Sequence, residues 1–149
     1  FRAEVLKLKN KTLGCFCRPE SICHGDVLKE YLDKRTGLAI IGSRTFSNYV
    51  GLVAVWKKYF VGKFDYIVSG GANGADKLGR NLSEETGLDY VEFLPDWDKN
   101  GKIAGFIRNR DIVNNSSAVL AFWDGISKGT QNSLELAKKM KKPSFIFYV

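Results

Sequence analysis

Ile67-Val68-Ser69-Gly70-Gly71-Ala72-Asn73-Gly74-Ala75-Asp76 runs from an aliphatic stretch through three glycines into an amphipathic one. Phe64 to Ser69 reads as a buried strand stopped by Gly70-Gly71. Gly74 to Thr86 reads as a helix that Gly87 ends in the usual terminating position. A strand that feeds a helix through a short glycine turn is the repeating half-unit of a parallel sheet with crossover helices. The same alternation extends in both directions. Upstream, Leu38-Ala39-Ile40-Ile41 ends at Gly42, and Ser47 or Asn48 can cap a helix running to about Phe60. Downstream come a strand at Tyr90 to Leu94, a helix at Lys102 to Asn115 and a strand at Ala118 to Phe122. A helix at Gly129 to Lys141 and a last strand at Ser144 to Val149 complete the series. The pattern predicts an α/β, Rossmann-like parallel sheet of about five strands with helices on both faces.

Ligands of such sheets bind at the carboxyl ends of the strands, at a switch in strand order. The glycines and polar residues of this chain fall there. Gly42-Ser43-Arg44 follows the first strand, Ser69-Gly70-Gly71 with Asn73, Gly74 and Asp76 the second, and Gly125 with Lys128-Gly129-Thr130 the fourth. Glycine allows close backbone approach, and a helix start offers unpaired N–H groups to a phosphate. The Ser69 to Asp76 turn matches neither the G-x-G-x-x-G dinucleotide fingerprint nor a P-loop. Asp76 falls in a first helical turn, where it suits either the helix dipole or ribose hydroxyls. Arg108-Asn109-Arg110 adds two guanidiniums able to clamp a phosphate, although residues two apart on a helix point in different directions. Trp97 and Trp123, near the loops, could supply base stacking.

Composition narrows the class. Hydrophobic residues make up 44% and charged residues 26% of 149, enough for one core without disulfides. No apolar run approaches the length of a membrane span, and no secretory signal is evident, so a cytoplasmic setting is expected. The net charge of +7 is spread along the chain. It suits an anionic ligand better than it marks a dedicated nucleic-acid binder.

Residues 1–36 have a different character. Three cysteines and the only histidine lie within Cys15 to His24. Cys15, Cys17, Cys23 and His24 together suit tetrahedral zinc, but the adjacency of Cys23 and His24 would strain such a site. The competing readings are a buried cluster of reduced thiols, or His24 and Asp26 reaching into the ligand site as polar or catalytic groups. Lys34-Arg35-Thr36-Gly37 reads as a hinge between this segment and a main domain at 38–149.

The strings Ile67 to Asp76, Pro95-Asp96-Trp97, Gly105-Phe106-Ile107-Arg108-Asn109-Arg110 and Lys128-Gly129-Thr130 resemble the YspA-like branch of the SLOG superfamily. Cys15-x-Cys17 with Cys23-His24-Gly25-Asp26 is similar to the carboxyl part of a small family with a C-x-C…C-H-G-D signature. The first resemblance implies a Rossmann-like fold and a nucleotide- or NAD-derived, phosphate-bearing small molecule as partner. Its relatives include lonely-guy phosphoribohydrolases and the single-strand-binding core of DNA-processing protein A. Homodimers also occur among such domains. In the phosphoribohydrolases an Arg, matched here by Arg108, works with a Glu three residues beyond the motif threonine. Here that position is Ser133, and Glu135 is two places late. Binding is therefore the leading expectation. A hydrolase using Arg108 with a non-standard carboxylate such as Asp124 comes second, and single-stranded nucleic-acid binding third.

Overall fold

In the computed structural model, residues 2–14, 16 and 23–149 are described. Two helices, α1 (Arg2–Leu6) and α2 (His24–Lys34), precede the sheet. The alternating part then runs β1 (Gly37–Gly42), α3 (Tyr49–Tyr59), β2 (Tyr66–Ser69), α4 (Ala75–Thr86) and β3 (Asp89–Glu92). It continues through a short α5 (Trp97–Asn100), a 3-10 turn (Gly101–Ile103), α6 (Ala104–Asn114), β4 (Ala118–Trp123), α7 (Lys128–Lys139) and β5 (Ser144–Tyr148). All five strands are parallel, in the order β3-β2-β1-β4-β5. The predicted fold class is the observed one. The order reverses between β1 and β4, so a crevice opens where their carboxyl ends part.

Successive residues of each strand serve opposite faces. Ala39 and Ile41 of β1, with Val68, Val91 and Val119, pack beneath α1, α2, α6 and α7. Leu38 and Ile40, with Ile67 and Leu120, pack against α3 and α4 through Leu52, Trp56 and Leu82. Strands buried on both faces explain the unbroken aliphatic runs of the sequence. Asn48 is the cap of α3, its side chain accepting from the Gly51 N–H at 2.8 Å. Gly87 ends α4 at φ 71°.

Two expectations shift. The helix expected from Lys102 to Asn115 begins two residues later, at Ala104, after a 3-10 turn, and is preceded by a separate turn that Asp96 caps by accepting from Lys99 N–H at 2.9 Å. Gly101 ends that separate turn at φ 50°. The hinge expected at Lys34 to Gly37 is fastened instead. Arg35 pairs with Asp89 at 2.7 Å, and Thr36 N–H donates to the Asp65 carboxylate at 2.7 Å. Leu6 and Leu32 lie in the same core cluster as the sheet, so the amino-terminal helices help cover one face of it.

The far end of α6 is closed by a side chain from β5's approach. Lys142 Nζ donates to the carbonyls of Val113, Asn114 and Ser116 at 2.5, 2.9 and 2.5 Å. These carbonyls lie at or just beyond a helix end, where acceptors lack intrahelical partners and a positive charge is favoured. Lys142→Met is expected to cost about 2 kcal/mol, since it leaves charge-assisted bonds unmade. Urea denaturation would measure it, and an unchanged midpoint would contradict the assignment.

Candidate functional site

A cleft of about 420 Å³ opens at the carboxyl ends of β1 and β4. Its walls come from four turns: the loop after β1 (Arg44, Thr45), the glycine turn before α4 (Ala72, Asp76), α6 with the segment before it, and the start of α7. Three glycines let these backbones meet. A side chain at Gly42 would strike the Phe122 carbonyl at 2.2 Å, and one at Gly74 the Ser43 carbonyl at 2.2 Å. Gly74 also sits at φ 80°, a conformation glycine adopts without strain. The third, Gly70, faces Arg108. A Cβ there would fall 1.4 Å from Arg108 Nη1 and 2.9 Å from Asp76 Oδ2.

Asp76 and Arg108 form the base of the cleft. The Asp76 side chain is 8% exposed and that of Arg108 13%. Asp76 Oδ2 accepts from the N–H groups of Gly70 and Ala72, both at 3.2 Å, and from Arg108 Nη1 at 3.3 Å. An internal carboxylate thus holds two loop amides and a guanidinium, the donors a bound anion would use. Burial pushes the Asp76 carboxyl up to about 6, although Arg108 and the two amides oppose the rise. Arg108 Nε is buried without a hydrogen-bond partner.

The opposite wall is the start of α7. The Ser127 side chain makes no capping bond to it. The first N–H groups of a helix have no intrahelical acceptors, so those of Lys128, Gly129 and Thr130 stand at the positive end of a 12-residue helix. Gly129 and Thr130 line the cleft, and Lys128 does not. The turn before them is braced by Asp124, which accepts from Ser127 N–H at 2.8 Å and Ile126 N–H at 3.1 Å. The Ser127 amide, foremost, holds the Asp124 carboxyl below the usual range. It is an anion at neutral pH and not a stored proton.

The other expected site residues divide clearly. Gly42, Arg44, Asp76, Arg108, Asn109, Gly129 and Thr130 line the cleft. Ser43 and Ser69 are buried and do not line it, and their hydroxyls are already engaged: Ser43 Oγ accepts from Asp124 N–H at 3.0 Å, and Ser69 Oγ donates to the Ile40 carbonyl at 3.0 Å. Asn109 is buried and braces α6 against α7, donating to Asn132 and the Gly129 carbonyl at 3.1 and 3.3 Å. Arg110 is exposed and turned away, as its helical offset from Arg108 requires. Gly71, Asn73 and Gly125 are exposed at the turns without lining the cleft. Ser133 lines it, bonded to the Gly129 carbonyl at 3.2 Å, whereas Glu135 pairs with Gln131 on another surface. Trp97 lines the cleft; Trp123 packs on Tyr148 instead, with ring centroids 5.9 Å apart.

Lys102, Thr45 and Phe106 line the cleft without having been singled out in the sequence. The helical spacing of Gly105, Arg108, Asn109 and Ile112 on α6 was the available signal, since Phe106 and Lys102 lie at the start of that face. Trp97 and Phe106 leave 55% and 54% of their surface exposed at the rim. Arg44, Lys102 and Arg108 bring three cations to a cleft with two carboxylates.

Of the expected zinc ligands, Cys15 and Cys17 lie outside the described residues. Cys23 precedes α2 and His24 opens it. Among the described residues no group of three or more His, Cys, Asp or Glu could hold a metal ion. No helix among them is long and apolar enough to cross a membrane.

Among solved structures the fold has counterparts. The chain is similar to DNA processing protein A from Streptococcus pneumoniae, at 20% identity and a TM-score of 0.62 over 76% of its length. It is also similar to DNA processing protein A from Helicobacter pylori, described in a single-stranded DNA binding mode, at 23% identity and a TM-score of 0.61 over 78%. The likeness is one of fold. The chain spans 50% of the first protein and 67% of the second. Residues 1–34 match a family described as a domain of unknown function, DUF4326. No curated protein sequence matches the chain.

Gly70→Ala tests the packing at the base of the cleft. The added methyl must displace the Arg108 guanidinium, with an expected stability loss of about 1–2 kcal/mol. A melting temperature equal to the parent's would show that Arg108 does not rest where the geometry sets it.

Proposed function

We propose that this cleft binds the phosphate of a nucleotide. The observation that carries the reading is the uncapped start of α7 opening into the cleft that Arg108 lines. Backbone N–H groups at a helix start and a guanidinium on the facing wall are complementary to phosphate oxygens. The Asp76 carboxylate acts as a resident counter-ion for Arg108 until the phosphate arrives. The volume suits one nucleotide unit, with Trp97 and Phe106 placed to flank a base.

Single-stranded nucleic acid is the second reading, and specific features favour it over a free small molecule. Exposed aromatic rings beside cations form the stacking platform and electrostatic groove that single strands use. Arg44 and Lys102 add cations to the same cleft, and one fold neighbour is described as binding single-stranded DNA. Under this reading the site takes one unit of a strand. The YspA-like and SLOG resemblance is compatible with either form.

Hydrolysis of the phosphoribohydrolase type fits less well. Ser133 occupies the position of that family's carboxylate, and Asp124 is committed to its turn. Binding without turnover is the expected behaviour.

A fluorescence titration against AMP, ADP-ribose, a thymidine dodecamer and a duplex of equal length separates these forms. The single strand is expected to bind most tightly and to weaken steeply with added salt. Tight, salt-tolerant binding of ADP-ribose with no response to the dodecamer would favour the small molecule. Silence across the panel from folded protein would overturn the whole reading.

A further inference from the structure

Two Asn-Gly pairs occur in the chain, Asn73-Gly74 and Asn100-Gly101. In such a pair the glycine nitrogen is able to attack the side-chain amide carbon of the asparagine, because the glycine has no side chain to stand in the way. The fold treats the two pairs differently. The Gly101 N–H is bonded to the Trp97 carbonyl, and Asn100 is a half-buried residue of α5. Asn73 is exposed in the turn before α4, and among the described residues its side-chain amide makes no hydrogen bond. The Gly74 N–H has no acceptor among them either, although the Gly74 carbonyl accepts from Leu78 N–H at 3.1 Å. Gly74 is also the cap residue of α4, so the nitrogen that must give up its proton stands at the positive end of a 12-residue helix.

We propose that Asn73 is a site of spontaneous deamidation at the edge of the cleft. The Gly74 nitrogen loses its proton and bonds to Asn73 Cγ. The Cγ–Nδ2 bond breaks, and the side-chain nitrogen leaves as ammonia with that proton. Water then opens the five-membered imide at either carbonyl. One opening leaves aspartate; the other leaves isoaspartate, whose main chain runs through the former side chain and is a carbon longer. Either product sets a negative charge beside Ala72, which lines the cleft. Isoaspartate does more. Gly74 is packed so closely on the Ser43 carbonyl that a Cβ would lie 2.2 Å from it, so the extra carbon is taken up on the Ala72 side. The Ala72 N–H is thereby drawn from the Asp76 carboxylate that holds it. The consequence for binding rests on the nucleotide reading above: like charge at the edge weakens the hold on phosphate.

Peptide mass spectrometry of the full chain, incubated in mildly alkaline buffer either folded or in urea, tests the chemistry. In the folded chain, conversion of amide to acid is expected at least about tenfold faster at Asn73 than at Asn100, whose Gly101 amide must first open. In urea the two pairs are expected to convert at similar rates, and labelling by an isoaspartyl methyltransferase marks the longer product. Conversion at Asn100 as fast as at Asn73 in the folded chain overturns the proposal. So does an Asn73 that stays intact in the folded chain while urea exposes both pairs to reaction. Asn73→Asp supplies the charge without ageing, and is expected to weaken binding of a thymidine dodecamer about threefold. Aged protein is expected to bind more weakly still. Parent affinity in both would overturn the link between the modification and the cleft. A fresh chain that binds neither the dodecamer nor AMP would remove the nucleotide reading itself, and the mass readout would still decide the deamidation.

Discussion

Replacing Arg108 with methionine is expected to weaken binding of a thymidine dodecamer by about a hundredfold, because a buried, charge-assisted contact to phosphate is lost. The same change removes the partner of a buried carboxylate, so a folding defect must be separated from a binding defect. Asp76, left without Arg108, loses the interaction that opposes its burial, and the single variant is expected to lose about 2 kcal/mol near neutral pH. The double variant Arg108→Met with Asp76→Asn removes the orphaned charge. It is expected to recover most of the stability and none of the affinity. That split, read by urea denaturation beside fluorescence anisotropy, assigns Arg108 to the ligand. Full binding by the double variant would reduce Arg108 to a structural partner of Asp76.

The second large effect is that of pH. The Asp76 carboxyl is raised from 3.8 to about 6, chiefly by burial. A raised carboxyl means that the folded state holds its proton more tightly than the unfolded chain. The resulting stabilisation is complete below about 4 and is lost as pH rises through about 6. Its size is on the order of 3 kcal/mol for a shift of this extent. The stability of Asp76→Asn is expected to lack that component, leaving a flatter profile between those limits.

The same proton tunes the cleft. Once protonated, Asp76 no longer competes with a phosphate for Arg108 or repels it. Affinity for a phosphodiester strand, whose own charge is constant in this range, is expected to rise about tenfold between pH 7.5 and 5.5. Only Asp76→Asn distinguishes this from the lone histidine, His24, which opens α2 and does not line the cleft. The asparagine variant is expected to bind with little dependence on pH. An Asp76→Asn chain that keeps the full rise would rule the carboxyl out as its source.

Much of the fold was legible because local signals agreed. The aliphatic run Leu38 to Ile41 is buried on both faces, Asn48 caps α3, and Gly87 takes the left-handed conformation that ends α4. The strands' carboxyl ends could also be placed, and with them the edge on which Arg44, Asp76, Arg108 and Gly129 gather. Long-range commitments were less visible. Nothing local announces that Ser43 and Ser69 spend their hydroxyls on neighbouring backbone, or that Asp76 finds Arg108 from 32 residues away. The turn α5, which Gly101 ends at φ 50°, lies upstream of the expected helix and carries Trp97 to the cleft wall. Trp123 was expected near the ligand because it ends β4, yet its ring packs on Tyr148 of the neighbouring strand.

The most direct test of nucleotide binding in this cleft is an amide-resolved NMR titration of the 16.7 kDa chain with a short thymidine oligonucleotide. The expected shifts fall on Gly70 and Ala72, whose N–H groups Asp76 holds, and on Lys128, Gly129 and Thr130 at the start of α7. Shifts that instead map to β5 or α2, or none at saturating oligonucleotide and AMP, would contradict it.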